Sequence, residues 1–107
     1  MTFRVVLTAD AEHDLLELYR YVASNDAPGK ALRLLVNIEE TIARLDQLPT
    51  RGHYPPELER IGVLEFREIF FKPYRIIYEV AGETVCVHCI LDGQRDLVDL
   101  LQERVLR

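Results

Sequence analysis

Lysine and serine are nearly missing from this chain: Lys30 and Lys72 are the only lysines and Ser24 the only serine in 107 residues. Each scarcity removes a class of function. A single serine at the expected end of a helix, with no nucleophile elbow around it, leaves no basis for serine-nucleophile hydrolysis. Two cysteines cannot build a disulfide framework. Cys86 and Cys89 lie in an apolar run that reads as a strand. An offset of three there places the thiols on opposite faces, where they cannot share a tetrahedral metal or a relaxed disulfide, so both are expected as structural thiols. No Gly-rich phosphate loop and no zinc-ligand spacing occurs, and no metal or other cofactor is expected. No apolar run approaches the ~20 residues of a membrane-spanning helix, and Arg4 is followed by only three apolar residues, too few for a signal peptide. A cytoplasmic protein without membrane association is expected.

The charge balance narrows the partners. Thirteen Lys and Arg against eighteen Asp and Glu give a formal net charge of −5. Proteins that draw their affinity from phosphate contacts are normally basic or carry a basic stripe, and here acids interleave with the arginines. Direct nucleic-acid binding is therefore disfavoured, and a local arginine cluster is the form in which anion recognition could survive. The length fits one domain over residues 1–107, with 49% hydrophobic residues for one modest core.

Periodicity divides the chain into seven main elements. Phe3 to Leu7 is a β-branched, apolar first strand. Thr8 offers an N-cap, Asp10 and Glu12 suit the first turn of a helix, and Ala11, Leu15, Leu18 and Val22 form one helical face that ends near Asn25. Asp26, as a capping acid, and Pro28 restart the chain as a second helix with Ala31, Leu35, Ile38, Ile42 and Leu45 on its apolar face, stopped by Pro49. Pro49, Gly52, Pro55, Pro56 and Gly62 then mark a loop with one helical turn at Pro56–Glu59. Segments 65–71, 74–80 and 84–91 alternate as strands joined by Lys72-Pro73 and Ala81-Gly82-Glu83, which makes an antiparallel meander. Leu97, Leu100, Leu101 and Val105 give a final helix over 96–106. The order β-α-α-β-β-β-α predicts an α+β fold: a small antiparallel sheet with an N-terminal helical hairpin on one face. Periodicity leaves open which edge takes the first strand and what covers the other face.

His13, His53 and His88 fall in three elements without shared spacing and read as surface or packed residues. Arg75 lies inside a strand and Arg95 where a strand gives way to a helix. Two readings stand for them. Arg75 can pair with Glu79 or Glu68, and Arg95 with Asp92 or Asp96. Alternatively, the two guanidiniums form one anion site at the end of the sheet.

The run from Phe66-Arg67-Glu68 through Lys72-Pro73-Tyr74-Arg75-Ile76-Ile77-Tyr78-Glu79-Val80 resembles the signature of the ParE/RelE toxins. Leu91-Asp92-Gly93-Gln94-Arg95-Asp96-Leu97 to Leu101 is similar to their closing motif. Asp14-Leu15 with Tyr19, Pro49 to Gly52, and Pro56 to Leu58 also match plasmid-stabilisation proteins of that family. The resemblance implies a toxin held inactive by an antitoxin whose tail wraps over the sheet and helices. Leu18, Tyr19, Val22, Phe70, Tyr74 and Tyr78 are the antitoxin-binding candidates, and Arg75 and Arg95 the target-binding ones.

The family divides by target. RelE-like members cleave mRNA on the ribosome with a basic and aromatic set, whereas ParE-like members inhibit DNA gyrase and are not themselves enzymes. Arg75 and Arg95 match two arginines of the cleavage set. The strand before Arg75 has no lysine, and leucine stands near Leu101 where those enzymes present tyrosine. The expectation is a ParE-like gyrase inhibitor with a ParD-like antitoxin and no catalytic residues. A metal-independent mRNA endonuclease, or a degenerate member that only binds its antitoxin, are the alternatives.

Overall fold

The described residues of the structure, a computed structural model, are 2–93 and 95–105, with Val105 described by its backbone. Gln94 of the closing motif, Leu106 as the expected helix end and the Val105 side chain lie outside them. Strand β1 (Arg4–Leu7) leads into helices α1 (Ala9–Asn25) and α2 (Pro28–Ala43). After two short 3₁₀ turns come α3 (Pro56–Glu59), strands β2 (Arg67–Phe71), β3 (Tyr74–Ala81) and β4 (Thr84–Asp92), and helix α4 (Leu97–Val105).

The sheet runs β1-β4-β3-β2. Its meander is antiparallel, as the short links require, but β1 lies parallel to β4, so the sheet is mixed rather than wholly antiparallel. The helical hairpin supplies the crossover that a parallel pair needs. Thr8 caps α1 by accepting from the Ala11 N–H at 3.0 Å. Asp26 does not cap α2: Ala27 holds that position, and the Asp26 N–H instead closes α1 on Val22. That carboxylate pairs with Lys30 at 3.7 Å.

Two apolar layers sandwich the sheet. Ile69, Ile76, Tyr78, Val85, Val87 and Ile90 face the hairpin through Ala11, Leu15, Ile38, Ile42 and Leu45. Ile77, Cys89 and Leu91 face the other way, against Leu58 of α3 and Leu97, Leu100 and Leu101 of α4. The second face, open from sequence, is thus covered by the chain's own α3 and α4.

A bulge changes the face count in β4. Ile77 pairs with Cys89 but Tyr78 with Val87, which leaves His88 as the extra residue. With Val85 and Val87 against the hairpin and Cys89 against α4, the added residue brings Cys86 onto the Cys89 face, contrary to the strict alternation expected. Both thiols are free, and burial pushes Cys89 up to about 11, which makes it an inert packing group.

The loop before β2 is tied to the sheet. The Tyr78 hydroxyl donates to the Pro49 carbonyl at 2.6 Å and accepts the Gly52 N–H at 3.0 Å. A Cβ on Gly52 would lie 2.6 Å from the Glu68 carbonyl oxygen and closer still to the Tyr78 hydroxyl, so only glycine fits there. Arg67 donates to the Gly52 carbonyl at 2.8 Å and lies over the Tyr54 ring. The His53–Glu68 bridge extends this tie along β2 and shelters the edge of the sheet.

Candidate functional site

Arg75 stands on β3 opposite Phe70, and its side chain reaches diagonally to β2 and outward to α3. Nε donates to Glu68 Oε1 at 2.7 Å. Nη1 and Nη2 donate to the two oxygens of Glu57 at 2.8 and 2.7 Å. His53 Nε2 lies 3.0 Å from the second oxygen of Glu68. Glu68 is 1% exposed and Arg75 8%. The hydrogen bonds from Arg75 hold the Glu57 carboxyl below its ordinary value, and the same bonds, chiefly those to Glu57, raise Arg75 further. The partner on the sheet is Glu68; Glu79, the other carboxylate considered, turns to His88 at 2.8 Å. Every nitrogen of this guanidinium is therefore committed to a carboxylate, and two acids offset its charge. A phosphate would have to displace one of them.

Arg95 has a different setting. It is exposed, in the turn after β4, and its N–H donates to the Asp92 carbonyl at 3.1 Å. It lines a groove of about 840 Å³ between α1, the end of β4 and α4. Arg75 lines a smaller one, about 450 Å³, with His53, Arg60, Phe70 and Lys72. The two arginines are not brought into one anion site.

The antitoxin-binding candidates divide by burial. Leu18, Tyr19, Val22 and Tyr74 are half-buried, and Phe70 is 45% exposed with its ring 5.2 Å from that of His53. Tyr78 is 0% exposed and its hydroxyl is spent on Pro49 and Gly52, so it serves the core and is withdrawn from the contact set. Its ring faces the hairpin, and both faces of β3 are covered, which removes the polar alternation that would have marked it as internal.

Two features escaped the sequence reading. Tyr21, 67% exposed, borders the Leu18–Val22 stripe of α1 and opens into the larger groove. Its place beside an apolar stripe, on a helix with few aromatics, was the available signal. The second is a polar clamp joining residues 90 positions apart, invisible to any local pattern. Arg104 of α4 donates to both oxygens of Asp14 on α1, at 2.9 and 2.6 Å, and to the His88 carbonyl at 2.8 Å. Asp14 also accepts the Ile90 N–H at 3.0 Å. Because β1 stops at Leu7, opposite Val87, these two side chains satisfy the edge of β4 beyond it. An apolar groove lined by Leu58, Val63, Phe66, Val98 and Leu101 runs between α3 and α4.

Among the described residues no group of three or more His, Cys, Asp or Glu could hold a metal ion, and no helix is long and apolar enough to cross a membrane.

Comparison with known proteins agrees with this geometry. Residues 5–97 match the ParE toxin family of type II toxin–antitoxin systems, parDE. The toxin ParE3 of Caulobacter vibrioides is 32% identical over 101 residues, covering 94% of this chain and 97% of that protein. The fold is shared with a chromosomal ParDE toxin–antitoxin system from P. aeruginosa, at TM-score 0.74 and 21% identity over 85% of this chain and 96% of that one. It is also shared with the RelBE2 toxin–antitoxin complex of Mycobacterium tuberculosis, at TM-score 0.63 and 20% identity over 86% and 99%. Matched along most of its length in sequence and in fold, the chain belongs to the ParE toxin family of type II toxin–antitoxin systems.

Proposed function

We propose that this toxin arrests growth by acting on DNA gyrase in the cytoplasm, and that a ParD-like antitoxin encoded beside it neutralises it, so that cells losing the pair, as on a lost plasmid, are poisoned. The observation that carries the choice of target is the state of Arg75. An mRNA-cleaving member needs cations free to meet the scissile phosphate and groups able to move protons. Here that arginine is sheltered and bound by Glu57 and Glu68. The strand leading to it offers Glu68 where lysines would serve cleavage, and Leu101 of α4 is buried against the sheet. A net charge of −5 further disfavours docking on ribosomal RNA.

Controlled expression with and without the neighbouring antitoxin gene tests this reading. Expression alone should produce filamentous cells and a DNA-damage response while bulk translation continues, and co-expression should restore growth. Immediate translation arrest without DNA damage would contradict the proposed target.

A further inference from the structure

The larger groove has three properties that act together. Its floor is apolar and aromatic, with Leu18, Tyr21, Tyr74 and Ile90 open to it. Tyr21 is 67% exposed, a large cost in apolar surface for a helix whose neighbouring residues Leu18 and Val22 are half-buried. The backbone edge of β4 alongside is already satisfied, His88 by Arg104 and Ile90 by Asp14, so this wall does not invite an added strand. An occupant must bind here through its side chains.

The charges say which side chains. The lining carries five carboxylates, from Asp10, Asp14, Glu17, Asp92 and Glu103, against the guanidiniums of Arg95 and Arg104. Arg104 is paired with Asp14, and the acidic character of the rim comes from Glu17 and Glu103. Glu17 is 54% exposed on its rim, where it pairs with Arg20 and His13 at the surface of α1, and Glu103 faces solvent from α4. An acidic rim around an aromatic floor is complementary to a basic amphipathic segment, whose aliphatic stems cover the rings while their cationic heads meet the rim.

Resting on the reading that an antitoxin covers this toxin, we propose that the groove between α1, the end of β4 and α4 is the seat of a basic amphipathic segment of that antitoxin, anchored on Tyr21 and Tyr74 and held by Glu17 and Glu103. Arginine or lysine at the helical spacing of that segment would reach both walls, and Arg95 at the mouth would set its direction by repelling cations from that end.

The full-length toxin and the antitoxin encoded beside it provide the test, with affinity measured by titration at low and at 0.5 M salt, a concentration at which charge pairs are screened within about 4 Å. Glu17→Arg/Glu103→Arg and Tyr21→Ala are each expected to weaken binding about tenfold or more without lowering the melting temperature. The charge-reversed toxin should also lose most of the salt dependence, and exchanging a basic residue of the antitoxin for glutamate should restore binding to it. Leu32→Ala/Val36→Ala, on exposed positions of α2 outside the groove, serves as the control and should bind as wild type. Unchanged affinity in both groove variants, with a tight wild-type complex, overturns the groove and leaves the antitoxin reading standing. Charge reversal that abolishes toxicity while antitoxin affinity is kept assigns the groove to the target and overturns the proposal. If the wild-type pair forms no complex, the antitoxin reading fails and the groove assignment fails with it.

Discussion

Replacing Arg75 by alanine would leave Glu68, only 1% exposed, with the 53%-exposed His53 on its other oxygen. Water cannot solvate a carboxylate at that burial, so the variant forfeits the pair and strands the partner charge, a combination that typically costs about 3–5 kcal/mol. Glu57 is 30% exposed and can turn to solvent, which limits its share. In a domain of about 100 residues each kcal/mol moves the melting temperature by roughly 4–8 °C, so Arg75→Ala should melt at least ~12 °C below wild type. Arg75→Lys should recover little, because one ammonium cannot reproduce the fork that meets Glu57 on two nitrogens and Glu68 on a third. Arg75→Met/Glu68→Met removes both charges at similar volume and should regain at least half of the loss. Thermal unfolding followed by far-ultraviolet circular dichroism measures all three. Arg75→Ala melting within a few degrees of wild type would refute the account of this arginine as a structural cation, and loss of toxicity at unchanged stability would move it to the target contact.

Further predictions concern the loop, the clamp, acid sensitivity and Arg95. Gly52→Ala drives a methyl into the Glu68 carbonyl and the Tyr78 hydroxyl, and should cost about 1–3 kcal/mol of unfolding free energy in urea. Arg104→Ala removes the cation from Asp14 and a donor from the His88 carbonyl; hydrogen exchange at α4 should rise well above that at the helical hairpin. Glu57 has a folded-state pKa below its ordinary 4.5, so its contribution is complete above that value and is lost as pH falls through the folded one. Stability should therefore drop below about pH 4.5, and Glu57→Gln should flatten that part of the curve. Arg95→Ala should melt within a few degrees of wild type, since its side chain is exposed, and a growth assay then reads its effect on toxicity alone.

The elements were legible in the sequence because their periods are clean. Ala11, Leu15, Ile38 and Ile42 recur at helical spacing and are buried, and Thr8 caps α1 as its residue type suggests. What local pattern could not supply was pairing across the chain. The parallel placement of β1 depends on the hairpin crossover, and the bulge at His88 shifts the register of β4 against β3, neither of which hydrophobic alternation records. The same limit explains the site. Glu68 was a visible partner for Arg75 because it lies on the adjoining strand, whereas Glu57 comes from α3, across a loop of undetermined course. Tyr78 looked available as one aromatic among several in the meander; the carbonyl that accepts its hydrogen bond lies 29 residues away.

Target choice is the central claim, and purified components decide it most directly. The toxin, freed of its antitoxin, should be incubated with DNA gyrase and supercoilable plasmid, and in parallel with translating ribosomes on a defined mRNA. Loss of supercoiling with accumulation of cleaved plasmid is expected, together with mRNA that stays intact. Unaffected gyrase together with mRNA cut at defined codon positions would contradict it.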